Sequence, residues 1–149
     1  MCSRNSAASA RSSSDLAAER VGPERVKGAY AWKWMQKVGA RLAFGTDYPV
    51  EPMTPFRGVF ACLTREVDGQ PGSSWQPQEK ISLDDCIKAY TADSAYADHL
   101  EKEKGRIAVG QLADIIVLSN DLTKIPPPQI LRTDVVMTFV GGRVVYEKK

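Results

Sequence analysis

Between Pro23 and Gly39 the apolar positions recur every four residues, at Val26, Tyr30, Trp34 and Val38, as on one face of a helix. Pro23 suits the first turn of a helix, where its missing N–H has no intrahelical partner, and Gly39 stands where a left-handed C-cap residue belongs. The spacing predicts an amphipathic helix from Pro23 to Val38. The pattern then tightens into a short, mostly apolar run, Arg41-Leu42-Ala43-Phe44, closing on Gly45-Thr46-Asp47. Such a run predicts a strand buried on both faces, with Asp47 at its C-terminal tip. A helix feeding a buried strand is the signature of a parallel α/β unit. Pro49, Pro52 and Pro55 then stiffen a loop, and Thr54 with Pro55 reads as the N-cap and first residue of a helix carrying Phe56, Val59, Phe60, Leu63 and Val67. Residues 68–80 are a surface loop by composition. Ser82 with Asp85 forms a capping-box variant ahead of a helix that buries Leu83, Cys86, Ile87 and Tyr90. Thr91 is placed to cap a short helix with Ala95, Tyr96 and Leu100.

The last third changes period. Ala113 to Leu118 and Val135 to Val140 are rich in strand formers, and Gly141-Gly142 makes a tight turn into Arg143-Val144-Val145-Tyr146. The fold class is therefore α/β followed by β. The start is different again: serine occupies positions 3, 6, 9, 12, 13 and 14, and such a stretch buries too little apolar surface to offset its ordering entropy. Three segments follow from these changes: a low-complexity start over 1–21 with little fixed structure, α/β material over 22–104, and small-sheet material over 105–149.

Composition narrows the possibilities without adding chemistry. The chain has 149 residues, 43% hydrophobic and 26% charged, which suffices for one modest core. It is too short for a complete eight-stranded barrel, which takes about 250 residues. The net charge of +2 is unremarkable, and the basic excess before Leu42 reads as a solvated face rather than a nucleic-acid interface. Cys2, Cys62 and Cys86 are odd in number and widely spaced, suggesting neither a disulfide framework nor a metal knuckle, and a reducing, cytoplasmic setting fits. No apolar run is long enough for a membrane span, and the start lacks the apolar core of a secretory signal.

The chain holds one histidine, His99, and that decides much of the chemistry. A catalytic zinc site takes three protein ligands dominated by histidine, and serine or cysteine nucleophiles usually need a histidine base. His99 lies in a charged helical stretch with no second ligand four residues on, so it reads as a surface residue. Asp47 stands apart because a carboxylate at the C-terminal end of a buried parallel strand points into the face where α/β proteins keep their sites; a turn cap is the plainer alternative. Glu51 is near enough in the chain to pair with it, although Pro49 between them counts against a shared site, and Thr46 either orients the carboxylate or, as is commoner, simply packs in the strand. Gly105 to Asp114 lacks the Gly-Lys-Ser/Thr ending of a phosphate loop and reads as a tight turn into a strand, with Asp114 bonding turn backbone. Tyr30, Trp32 and Trp34 read as helix core and flank.

Four separated pieces, RLAFGTDYPVEPMTPFRGVFACLTRE, ISLDDCIKAYTADSAYAD, KGRIAVGQLADIIVLSNDL and VVMTFVGGRVVY, occur in an order that resembles the C-terminal portion of the amidohydrolase superfamily, in particular its YtcJ-like, type 3 branch. The resemblance runs from about Gly22 to Tyr146, and the Gly110-x-Leu-Ala-Asp114 turn is its most distinctive element. It implies a C-terminal fragment of a metal-dependent hydrolase (β/α)8 barrel, with 42–47 as the last barrel strand, plus the C-terminal part of a flanking small β-sandwich over 105–149. It implies cleavage of non-peptide C–N bonds in small-molecule amides with zinc. Asp47 would be the strand-eight aspartate that binds or neighbours the metal, takes a proton from the activated water and passes it to the leaving group.

Two departures accompany it. The family's metal-binding histidines and any bridging lysine lie upstream of the matched portion, so this chain alone is expected to bind no zinc and to be inactive. Relatives also tend to carry a histidine-bearing stretch where Ala10 to Asp15 reads ARSSSD. A truncated chain of this kind would expose a barrel strand's open edge, which predicts self-association or pairing with the missing barrel portion. The alternative is a non-catalytic, self-associating or partner-binding module derived from the same fold.

Overall fold

A computed structural model describes residues 2–6, 14–66 and 70–149 of the chain. Strand β1 (Cys2–Ser6) and strand β2 (Arg41–Gly45) pair in parallel, Cys2 opposite Arg41 and Ser6 opposite Gly45. Parallel neighbours need a long crossover, and here it is helical. Helix α1 (Ser14–Arg25) is interrupted at Gly22, whose φ of 77° and ψ of 169° are not helical. A 3-10 turn, Val26–Gly28, and helix α2 (Trp32–Lys37) complete the βαβ unit. After β2 come α3 (Phe56–Thr64), α4 (Leu83–Tyr90) and α5 (Ala92–Ala97). A second sheet closes the chain: β3 (Ile115–Leu118), the short α6 (Pro127–Ile130), β4 (Val135–Val140) and β5 (Arg143–Glu147), antiparallel in the order β3-β4-β5.

The core forms around β2 because Leu42, Ala43 and Phe44 are all buried, as a strand covered on both faces requires. Trp32 from α2, Phe56 and Val59 from α3, Cys86 and Ala89 from α4 and Ile130 from α6 belong to the same buried cluster. The small sheet docks onto it through Leu118 and Val135. Phe44 lies at the centre, its ring 5.2 Å from that of Trp32 and 5.6 Å from that of Tyr90.

Local signals account for several boundaries. Ser82 caps α4, its hydroxyl oxygen accepting from the Asp85 N–H at 3.1 Å, and its O–H donates to the Asp85 carboxylate at 2.7 Å. Gly141 and Gly142 both have positive φ, 55° and 77°, as a two-residue hairpin of the primed type demands. Gly105 has φ 95°, and a Cβ there would meet the Ala95 Cβ at 2.8 Å, so a turn that presses on α5 admits only glycine.

Other expectations give way. The helix expected from Pro23 to Val38 is broken: Tyr30 has φ 51°, and α2 starts only at Trp32. Trp34 and Val38 are 59% and 61% exposed, while Trp32 is fully buried, so the four-residue repeat does not mark the buried face. The cap of α2 comes from outside the helix, the buried Glu79 carboxylate accepting from the Trp34 N–H at 3.0 Å. Thr54 does not cap α3, whose N-cap is Pro55. Thr91 stands at the N-cap of α5, but its side chain makes no cap bond there; its hydroxyl donates back to the Ile87 carbonyl at 2.8 Å. Cys62 and Cys86, whose spacing suggests no disulfide framework, are joined by a disulfide between α3 and α4. The spacing misled because a 24-residue separation says nothing of two Cα atoms that the core brings to 6.2 Å. In the serine-rich start, where little fixed structure was expected, Cys2–Ser6 is strand and Ser14 onward is helix. Val67 and most of the Ala10 to Asp15 stretch lie outside the described residues.

Candidate active site

The candidate site forms where β2 runs out. Its apolar residues bury the strand up to Phe44, after which Gly45 and Thr46 are half-buried and Asp47 emerges exposed. Asp47 has φ 52°, in the left-handed region that aspartate tolerates better than most side chains. Its carbonyl accepts from the Val50 N–H at 2.9 Å, closing a turn that contains the cis Tyr48-Pro49 bond. The Asp47 carboxylate folds back beside Gly45, where a Cβ would stand 3.6 Å from its Oδ1.

An open cavity of about 220 Å³ sits at this point, lined by Asp47, Asp98, Ser94, Ala97 and the Ala43–Gly45 end of the strand. Ser94 comes from α5, and its hydroxyl lies 3.0 Å from the Phe44 carbonyl and 2.7 Å from the Ala89 carbonyl. Tyr90 ends α4. Burial first, then the negative charges of Asp47 and Glu51, hold its phenol above the ordinary range.

The other candidates resolve differently. His99 is exposed with φ 60°, its N–H donating to the Tyr96 carbonyl at 3.1 Å, and it does not line the cavity. The Gly105 to Asp114 stretch is a scaffold. The Gln111 side chain accepts from the Arg106 N–H at 3.1 Å and donates to the Glu101 carbonyl at 3.1 Å. Asp114 accepts from the Gly141 N–H at 2.8 Å, so it does bond turn backbone, but in the hairpin between β4 and β5 rather than in its own turn. Tyr90 was legible only as a buried helix position, and Ser94 and Asp98 carried no signal. Ser94 lies four residues beyond Tyr90, but Thr91 breaks the helix between them, so no single helical face links the two in the sequence.

Among the described residues no three His, Cys, Asp or Glu side chains gather closely enough to hold a metal ion. The carboxylates present thus do not fit a complete metal centre. Among the same residues no helix is long and apolar enough to cross a membrane.

The chain matches the amidohydrolase family over residues 5–146. It is 38% identical over 131 residues to the amidohydrolase-family protein YtcJ of Bacillus subtilis, covering 87% of this chain and 25% of that protein. It is 26% identical over 114 residues to the N-substituted formamide deformylase of Arthrobacter pascens, covering 76% of this chain and 21% of the enzyme. An uncharacterized metal-dependent hydrolase from Pyrococcus furiosus superposes with a TM-score of 0.60 at 29% identity, over 74% of this chain and 22% of its own. An amidohydrolase from Thermotoga maritima shares the fold with a TM-score of 0.56 at 19% identity, over 95% of this chain and 36% of its own. The chain thus spans about a quarter of the curated relatives it matches. With the match running through all four sequence motifs, the α/β unit and the small sheet alike, this chain belongs to the amidohydrolase family.

Proposed function

We propose that this chain is the closing part of a metal-dependent amidohydrolase acting on C–N bonds of small-molecule amides, and that Asp47 is its catalytic carboxylate. On this reading β1 and β2 are the last two strands of a (β/α)8 barrel, and 105–149 supply the C-terminal strands of a small β-sandwich. The observation that carries it is Asp47 itself: exposed just past the C-terminal end of a strand whose middle three residues are buried, beside a cavity, in a family of hydrolases. A carboxylate so placed accepts a proton from an attacking water and returns it to a leaving amine, provided its environment keeps it ionised beforehand. Zinc is the metal this reading assigns to the assembled enzyme, where it would activate the water. Its other ligands come from outside the described residues, and the chain alone is inactive. The proposed setting is the cytoplasm, with Cys62–Cys86, both sulfurs fully buried, shielded from reductant until the core opens.

The test is elemental analysis of the purified chain with amide-hydrolysis assays in added zinc, alone and co-expressed with the polypeptide encoded upstream. The reading expects turnover only in the co-expressed form, lost by about 10²-fold or more in Asp47→Asn, the scale of a missing general acid–base group. Turnover unchanged by Asp47→Asn would remove Asp47 from the chemistry.

A second reading, a non-catalytic self-associating module, is favoured by a specific feature. Ile116, Val117, Val144 and Tyr146 of the small sheet are all more than 40% exposed, and β3 and β5 are its open edges. Size-exclusion chromatography with light scattering tests it, and a stable monomer at high concentration counts against self-association.

A further inference from the structure

We propose that Ser94 is a positioning residue for Asp47, holding the end of strand β2 by its main chain so that the carboxylate keeps one orientation over the cavity. The inference rests on the reading of Asp47 given above. Phe44 is the last buried residue of β2 and stands three residues before Asp47. It is gripped twice from the α4–α5 segment. The Tyr90 ring meets its ring edge-on at 5.6 Å, and the Ser94 hydroxyl meets its carbonyl at 3.0 Å. One side chain fixes Phe44 by packing, the other by hydrogen bonding.

The second contact matters more for Asp47. A ring contact acts on the side chain, whereas a bond to the Phe44 carbonyl acts on the peptide plane that leads into Gly45, the most permissive residue in this segment and the last one paired with β1. Ser94 is itself anchored, because its oxygen lies 2.7 Å from the carbonyl of Ala89 in the last turn of α4, so its single proton is shared between the two acceptors. The same side chain and Asp47 line one cavity. Ser94 therefore sits both behind the strand end and beside the group that the strand end delivers. Asp47 needs such support: its φ of 52° lies in a minor well for a non-glycine residue, which persists only where the surroundings hold it.

The experiment is solution NMR on the full chain, reading the three-bond couplings that report φ and χ1 of Asp47, together with thermal unfolding of the same samples. Wild type is expected to show a single set of couplings at Asp47. Ser94→Ala is expected to show averaged values there, and Ser94→Thr, which keeps the hydroxyl, is expected to restore them. Where Ser94→Ala does not fold, Ser94→Cys, close in volume and a weak donor, takes its place with the same expected averaging. Wild-type couplings at Asp47 in Ser94→Ala or Ser94→Cys, with only a lowered melting temperature, would overturn the proposal and leave Ser94 as a packing residue. This readout does not depend on catalysis. Failure of the Asp47 reading shows in turnover of Asp47→Asn, and failure of the positioning role shows in the couplings.

Discussion

Replacing Gly105 by alanine is the sharpest available test of how the family's glycine-bearing turn meets the α/β unit. Two separate costs apply. The φ of 95° lies outside the wells of an L residue, a penalty of about 1–2 kcal/mol. The added Cβ would stand 2.8 Å from the Ala95 Cβ, 3.0 Å from the Ala92 Cα and 3.1 Å from the Thr91 carbonyl. Those atoms belong to backbone or to a side chain with no rotamer to change, so relief requires the turn or α5 to shift, an overpacking cost of about 1–3 kcal/mol. Together they give about 2–5 kcal/mol for Gly105→Ala. Gly110 supplies the control, because its φ of 88° carries the same backbone penalty while a Cβ there would meet nothing within 4 Å. Urea denaturation of the two variants separates the effects, since a shift in midpoint at constant slope reports stability alone. The difference between them should equal the packing term. Equal midpoints for Gly105→Ala and Gly110→Ala would refute the close approach of this turn to α5.

Other predictions rest on single contacts. The Cys62–Cys86 bond spans a separation of 24 residues, so reduction should lower stability by about 3.5 kcal/mol on the chain-entropy account; thiol counting in guanidinium without reductant should find one reactive cysteine of the three, and three would remove the disulfide. Glu79→Ala removes the carboxylate that accepts from the Trp34 N–H and should cost about 1 kcal/mol in denaturant melts, whereas an unchanged midpoint would show that α2 needs no cap. The Thr123 hydroxyl and Lys124 hold the Asp121 carboxyl down to about 2. Because the folded value lies below the unfolded one, its contribution is present above the ordinary carboxylate range and is lost as pH falls toward about 2. Carbon-detected titration should find that depressed midpoint in wild type and a rise toward the ordinary value in Thr123→Val.

The parts legible in the sequence were those where one local cause sets the outcome. The run Leu42-Ala43-Phe44 has nowhere to be but inside, Gly141-Gly142 allows a turn few other pairs allow, and Ser82 finds its own acceptor and donor in Asp85 three residues on. The parts that misled depend on distant partners. Val26, Tyr30, Trp34 and Val38 make a helical face on paper, but α2 turns Trp32 inward against Phe44 instead, and its N-terminal N–H is satisfied by Glu79, 45 residues away. Thr91 had a choice of carbonyl or cap, and the preceding helix end won. At the candidate site Asp47 was legible because a strand end aims it, while Ser94 was not, because a serine inside a short helix looks the same whether or not a strand carbonyl lies beside it.

The bond between Asp114 and Gly141 also bears on the order in which the small sheet assembles. The β4–β5 ribbon closes over a two-residue turn and can form on the scale of about 1–10 μs without help. Strand β3 must wait for partners far along the chain, since Ile115 pairs with Phe139. The Asp114 carboxylate precedes β3 by one residue and recognises the tip of the finished ribbon. It can close that contact only when β3 lies in its native register, because a slip by one residue would carry the aspartate away from the Gly141 N–H and turn every β3 side chain to the opposite face. A β3 slipped by one residue thus forfeits the Asp114–Gly141 bond together with its facing, so one contact at the hairpin tip adds to the cost of misalignment.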